Sequence, residues 1–277
     1  MTAKFQEFES LTHCPGCGSD CVGKALEPDV GQCCNCRLYF RNPRPTQAEI
    51  ARSYNTGGTF DAWQAEEPAR AVMWERRLAI VRHFAGGGRL LDVGTGDGRF
   101  LATARPAGYE VAGTEVSEAG ASYARERGFD VRLGQITELD LPSESFDLAT
   151  IWHVLEHVPD PGAVLRKVHS LLRPGGILVV AVPNEENFFI RRRLGAAKSS
   201  PFDPLKFGGE IHLTYFRPGT LRSTLRAAAF EVREFGVDDV YHVRDLKMRL
   251  KLPFQRALAR MLNWHFAVAM YAVCQRK

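Results

Sequence analysis

The stretch from residue 90 to 98 limits what this chain can fold into more than any other. Leu90, Leu91, Asp92 and Val93 have the pattern of a buried strand, which then breaks into Gly94, Thr95, Gly96, Asp97 and Gly98. Glycines at every second position let the backbone turn tightly between a strand and a helix N-terminus, and they leave room for a ligand that side chains would exclude. A dinucleotide fingerprint needs its third glycine three residues after the second, but that position holds Arg99. A nicotinamide cofactor is therefore disfavoured. Two carboxylates point elsewhere. Asp92 ends the first strand, and Glu115 ends the next expected strand, 109–114, where it can accept both hydroxyls of a ribose.

More blocks follow downstream. Residues 129–134 have the pattern of a third strand, and Leu141, Pro142, Ser145, Phe146 and Asp147 lead into a fourth. Ile151-Trp152-His153-Val154-Leu155-Glu156-His157-Val158 precedes Asp160-Pro161, and Leu171-Leu172-Arg173-Pro174-Gly175-Gly176 precedes the aliphatic run 177–182. With Leu91 to Gly98 as the first motif, these blocks in this order resemble the class I S-adenosylmethionine-dependent methyltransferases over residues 85 to 236.

That resemblance implies an α/β fold, a doubly wound seven-stranded Rossmann-like sheet in the order 3-2-1-4-5-7-6 with the seventh strand antiparallel. Strand, glycine turn and helix repeat from Gly88, which independently predicts a doubly wound sheet with ligands at the carboxyl ends of its strands. Residues 89–93, 109–114, 129–133, 146–152 and 176–182 are expected as the parallel strands, and 230–237 and 266–274 as strands six and seven. The donor, S-adenosylmethionine, is expected on Asp92, Gly94, Thr95, Gly96, Gly98, Glu115, Val116 and Trp152, with Tyr54 lying over it from the lead-in. Family members commonly place an aspartate after the third strand to bind adenine. Here Gln135 and Ile136 follow Gly134, and they are taken as the adenine-side residues.

Methyl transfer from a sulfonium is an in-line displacement with a neutral leaving group. The protein must chiefly align nucleophile, methyl and sulfur in a dry site and remove a proton where the acceptor has one. His153, Glu156 and His157 are spaced i, i+3, i+4, so one helical turn would put them on one face. His153 is the first choice for general base, with His157 beside it. Some quinone-pathway relatives use a similar acidic and histidine cluster to bind a divalent metal. His212 and Tyr215 lie in a stretch similar to one in small-molecule members of the family and are further acceptor-side candidates. Arg191, Arg192 and Arg193 suggest an anionic acceptor. From Arg244 to Arg260 six Lys or Arg stand against one Asp, which suggests a basic amphipathic lid or a surface for a membrane or acidic partner.

The N-terminal segment carries its own signal. Cys14-Pro15-Gly16-Cys17 and Cys33-Cys34-Asn35-Cys36 give two C-x2-C pairs with fifteen residues between Cys17 and Cys33, the spacing of a zinc ribbon. Four thiolates, Cys14, Cys17, Cys33 and Cys36, leave the metal no open position, so its role is structural. A disulfide framework would require an oxidising compartment that nothing else in the sequence supports. Thr46 is expected to cap a helix over 47–54 with help from Glu49, and a second helix is expected over 68–84.

The organisation expected is therefore a zinc-ribbon segment over 1–45, a helical lead-in over 46–85 and a methyltransferase domain over 86–277, with substrate-side insertions at 183–217 and 238–265. A chain of 277 residues with 45% apolar residues can bury a sizeable core. A net charge of +4 is too small to indicate nucleic acid. Glu7 and Glu9 stand where a signal peptide would be basic and then apolar, so a cytoplasmic protein without a membrane span is expected. The acceptor is expected to be a small molecule such as a sugar or secondary metabolite, methylated at O or N rather than C. RNA methylation and a donor-binding protein without catalysis are the alternatives. Oligomeric state is not legible.

Overall fold

The computed structural model of the chain describes residues 5–24, 27, 29–55, 67–187, 202, 211–238, 254, 257, 261 and 267–277. Near the N-terminus, β1 (Phe8–Glu9), β2 (Val22–Lys24), β3 (Val30–Cys33), β4 (Tyr39–Arg41) and β5 (Arg44–Pro45) are short strands, with β1 and β5 paired antiparallel. Cys33 and Cys34, adjacent in sequence, take separate partners. Cys33 lies with the other three cysteines of the C-x2-C pairs. Cys34 is bonded to Cys21 across a Cα–Cα distance of 5.4 Å, held by the Cys34 N–H donating to the Cys21 carbonyl. One disulfide thus accompanies the thiol cluster, between two cysteines that lie outside the C-x2-C ligand set.

Helix α1 (Gln47–Asn55) starts as expected, with Thr46 Oγ1 accepting from the Glu49 N–H. The return half of that cap does not form. The Glu49 carboxylate instead accepts from the Gln6 N–H and the Arg52 guanidinium, while the Thr46 N–H goes to Glu7 O. Helix α2 (Glu67–Phe84) leads into β6 (Gly88–Val93).

From β6 the chain alternates: α3 (Arg99–Ala104), β7 (Tyr109–Glu115), α4 (Glu118–Glu126), β8 (Asp130–Leu133), β9 (Phe146–Trp152), α5 (Pro161–Leu171), β10 (Leu172–Pro183), β11 (Thr214–Tyr215), α6 (Pro218–Ala227), β12 (Phe230–Asp238) and β13 (Ala269–Arg276). Seven strands form one sheet in the order β12-β13-β10-β9-β6-β7-β8. The strands β10, β9, β6, β7 and β8 are parallel to one another, and β13 is antiparallel to both of its neighbours. This is the Rossmann-like methyltransferase sheet that the sequence suggests.

Boundaries shift at two places. β10 begins at Leu172 and passes a register irregularity before Ile177, so the Pro174-Gly175-Gly176 turn lies within the strand. β13 runs from Ala269 to Arg276 rather than over 266–274, and residue 266 lies outside the described residues.

Alternation along the strands builds two cores. Leu91, Val93, Ala149, Ile151, Leu178, Val180 and Val182 face α5 and α6, whereas Leu90, Leu148, Val179 and Ala181 face Val81, Phe100, Leu101, Ala121 and Ala124. Helix α5 is fixed at its start by Asp160, whose carboxylate accepts from the Ala163 N–H at 2.7 Å, and by Pro161 in its first turn. Its buried Val164, Leu165, Val168 and Leu171 then recur at helical spacing. The ribbon belongs to the first of these cores, because Cys14, Cys33, Leu38 and Phe40 pack in one cluster with Leu155, Leu165, Phe216, Leu221 and Leu225. None of the helices searched is long and apolar enough to cross a membrane.

Candidate active site

The carboxyl ends of β6, β7 and β9 form one rim, built around the glycine turn. Gly94 and Thr95 donate their N–H groups to Thr114 O at 2.8 and 2.9 Å, so the turn folds back over the end of β7. Gly94 has φ +70°, and a Cβ there would stand 2.4 Å from Val154 Cγ2. Only glycine satisfies both the left-handed backbone and that contact. The contact also seats the turn after β9 directly on the glycine loop.

The two expected carboxylates are buried on this rim. Asp92 accepts from Thr150 Oγ1 at 2.6 Å, and burial pushes its carboxyl up to about 7 against the pull of that bond. Glu115 accepts three backbone N–H groups, from Gly96 at 2.8 Å, Val116 at 2.9 Å and Ser117 at 2.8 Å; burial nevertheless raises its pKa. Gly134 donates to Glu115 O, which brings Gln135 and the buried Ile136 to the same edge. Val116 is exposed on it, and Gly98 caps α3 with φ +76°. Trp152 lies on the other face, edge-on to Phe100 at 5.4 Å and under the Arg77 guanidinium at 4.9 Å. The side chain of Tyr54 lies outside the described residues.

Past β9 the chain makes a single turn in which the His157 N–H bonds Val154 O, with His153 itself at φ +55°. This gathers His153, Glu156 and His157, but the two histidines differ. His153 stands between two carboxylates, Nδ1 3.2 Å from Glu156 Oε1 and Nε2 2.8 Å from Asp238 Oδ2. Burial alone would lower its pKa, but the carboxylates, Asp238 foremost, outweigh it and raise it. Held on both nitrogens by carboxylates, His153 favours its protonated form, which supports a positioning role beside the general-base role expected of it.

His157 differs because its Nδ1 lies 2.9 Å from the Ile211 carbonyl. A carbonyl only accepts, so Nδ1 carries a proton, and Nε2 lies 3.9 Å from Glu156 Oε1. His212 is buried, its ring edge-on to His157 at 4.7 Å. One ligand atom each from Glu156, His157 and His212 lies within 4.8 Å of the others.

Tyr215 does not join this group. Strand alternation turns Thr214 toward the site, where its hydroxyl bonds Leu155 O at 3.4 Å, and Tyr215 to the opposite face against Phe202 at 4.7 Å. Burial there pushes its phenol well up. The arginine run 191–193 and most of the basic segment 241–265 lie outside the described residues.

Sequence reasoning missed the arginines of α2. Arg77 holds Asp238 through two bonds of 3.2 and 2.7 Å, with its guanidinium also over Trp74 at 4.7 Å. Arg70 holds Asp97 of the glycine loop through bonds of 3.1 and 3.2 Å. Both pairs are buried. Asp238 ends β12, and the rule that places ligands at the carboxyl ends of strands is the signal that could have found it.

The ribbon's thiols form a second centre. Cys14 Sγ lies 3.6 Å from Cys36 Sγ, and Cys17 Sγ 3.7 Å from Cys33 Sγ. A tetrahedral zinc with bonds of about 2.3 Å spaces its sulfurs about 3.8 Å apart. Gly16 and Cys36 donate N–H groups to Cys14 and Cys33 sulfurs at 3.4 Å, as knuckle backbones do to thiolates. The arrangement fits a small zinc ribbon.

The sheet order, with its buried carboxylates at the carboxyl ends of the strands, defines a doubly wound α/β protein. Residues 62–234 match the family profile of a methyltransferase domain. A ubiquinone biosynthesis O-methyltransferase of Marinobacter nauticus is 34% identical over 68% of this chain and 80% of its own length. A Mycolicibacterium smegmatis protein is 28% identical over 58% of this chain, which spans only 60% of that relative. Among solved structures, the fold is similar to that of a 1,6-didemethyltoxoflavin-N1-methyltransferase of Burkholderia thailandensis (TM-score 0.55, 18% identity, 92% of this chain and 98% of that one). It is also similar to that of an S-adenosylmethionine-dependent methyltransferase of Mesorhizobium loti (TM-score 0.52, 23% identity, 72% and 96%). The chain belongs to the class I S-adenosylmethionine-dependent methyltransferases.

Proposed function

We propose that the protein transfers the methyl group of S-adenosylmethionine to an oxygen or nitrogen of a small molecule, with its ribbon cysteines holding one structural zinc. The observation that carries the acceptor reading is the His157 tautomer. The part-buried imidazole gives its Nδ1 proton to Ile211 O, and in its neutral form its other nitrogen can take a proton from an acceptor at the turn that Val154 seats on the glycine loop. His157 takes the acceptor's proton as its oxygen or nitrogen attacks the methyl carbon and the carbon–sulfur bond breaks. His153, clamped between Glu156 and Asp238, holds the turn in place. The relatives named ubiquinone biosynthesis O-methyltransferases favour an oxygen acceptor.

A second reading places a divalent ion on Glu156, His157 and His212. Among the described residues Glu156 Oε2 is buried without a hydrogen-bond partner, and His157 gives its other nitrogen to a carbonyl as metal-ligating histidines do. Two imidazoles and one carboxylate suit a first-row divalent ion better than magnesium. Such an ion would make an acceptor hydroxyl more acidic.

Labelled donor incubated with a fractionated metabolite extract identifies the acceptor, and metal analysis separates the two readings. The base reading expects one zinc per chain, kcat of His157→Ala lower by about 100-fold and donor affinity unchanged. A second ion that disappears in His212→Ala establishes the metal reading instead. Full activity in His157→Ala and His212→Ala overturns both.

Donor binding should also depend on pH through Asp92. The sulfonium and amino groups of the donor are cationic and favour ionised Asp92, whose free-protein value is about 7. Affinity by calorimetry should therefore rise between pH 6 and 8 and level off above, a slope about one proton deep. Asp92→Asn should bind weakly without the slope. A flat profile in the parent protein would remove Asp92 from the donor site.

A further inference from the structure

The sheet of the ribbon is not completed by the ribbon. Its order is β11-β4-β3-β2, with Thr214 opposite Phe40 and Tyr215 opposite Tyr39, so the fourth strand comes from the segment that carries His212. Arg41 extends the join by donating its N–H to Leu213 O at 2.8 Å. On its other side the same segment grips the turn after β9, where the N–H groups of Leu213 and Thr214 both donate to Glu156 O, at 2.8 and 3.1 Å.

Two more ties follow along that turn. The Arg44 guanidinium donates to Pro159 O. Gly162, in the first turn of α5, donates to Pro15 O at 3.1 Å, and a Cβ on Gly162 would stand 2.9 Å from Gly16 O. The first zinc knuckle therefore sits on the start of α5 at backbone distance. The hydrogen bonds of the donor rim among the described residues run to Thr114, Glu115, Thr150, Arg70 and Arg127, none of which is in the ribbon.

We infer that the zinc ribbon is the positioning frame of the acceptor side. Metal held by Cys14, Cys17, Cys33 and Cys36 fixes β3 and β4, β4 fixes β11, and β11 with the first knuckle fixes residues 153–162. A ribbon of this size has too little apolar surface to hold its shape without the metal. Loss of zinc therefore loosens Glu156, His157 and His212, while the glycine loop keeps the hydrogen bonds of its own rim and is touched through Val154. The functional meaning rests on the acceptor-site reading above, whereas the mechanical link stands apart from it.

Hydrogen exchange read by mass spectrometry on the full chain tests the link. In Cys17→Ser/Cys36→Ser, zinc content should vanish and exchange in 153–162 and 211–216 should quicken by about tenfold or more, while S-adenosylhomocysteine affinity stays within about threefold. Gly162→Ala keeps all four cysteines and should keep one zinc. Its methyl group pushes on two carbonyls of the knuckle and should quicken exchange in 153–162. If the double serine variant loses donor binding, and with it the whole fold, Gly162→Ala decides. Faster exchange confined to residues 5–45, or full protection of 153–162 in Gly162→Ala, overturns the inference. Coupled exchange together with wild-type turnover in His157→Ala would instead leave the link standing and sink the acceptor-site reading.

Discussion

Glu115→Ala is expected to weaken S-adenosylmethionine binding by about 10- to 100-fold, the cost of a buried charge-assisted hydrogen-bond set at about 1.5 to 3 kcal/mol. The effect has two sources that a second variant separates. The carboxylate holds the loop, through Gly96 N–H at 2.8 Å, and it holds the start of the next turn, through Val116 and Ser117. It is also the group placed to receive the donor's ribose. Glu115→Gln keeps one acceptor oxygen for the Gly96 N–H but turns its NH2 toward the Val116 and Ser117 N–H groups, so it should retain the fold at a reduced thermal stability while still binding the donor weakly. Calorimetry with S-adenosylhomocysteine measures both. Parent-like affinity in Glu115→Ala would mean that the ligand does not lie on this rim.

The second large effect is expected at Arg77. Removing one partner of a buried ion pair leaves the other charge stranded, at about 3 to 5 kcal/mol, and Asp238 is buried with His153 as its remaining partner. Arg77→Met should therefore unfold at a much lower urea concentration, and Arg77→Met/Asp238→Leu should recover part of the loss because Asp238 is no longer stranded, although His153 Nε2 then loses its acceptor. A single variant within about 1 kcal/mol of the parent would show that the pair is dispensable.

The cluster also sets a pH window. Burial would raise Glu156, but His153 and the neighbouring imidazoles bring it to about 2 from an ordinary 4.5. Its contribution is in place above pH 4.5 and is lost as pH falls toward 2. His153 is held above its ordinary 6.5, so its contribution is full below pH 6.5 and is lost as pH rises through the raised value. Urea midpoints of the parent should exceed those of the Arg77→Met/Asp238→Leu variant by most between pH 4.5 and 6.5.

What the sequence disclosed followed from local chemistry. Leu90 to Val93 running into three glycines with positive φ needs only neighbours in the chain to be recognised, and the C-x2-C spacing works in the same way. What stayed hidden depended on distance. Arg77 and Asp238 are separated by 161 positions, and nothing in either neighbourhood announces the other. The second carboxylate that holds His153 lies 85 residues away on β12. Tyr215 is named on a resemblance, and a two-residue strand has no periodicity from which to decide which way it faces. Glu49 fitted a local capping rule and was drawn off by Gln6, 43 residues earlier.

The shared strand β11 bears on how such a protein could have arisen. A metal module joined by a tether can be gained, lost or exchanged as a unit, but this one borrows a strand from its host and lends it a wall in return. Residues 211–216 must therefore change whenever the module does, since removing it would take from β11 the backbone partners that β4 supplies. The two halves would have to be inherited together.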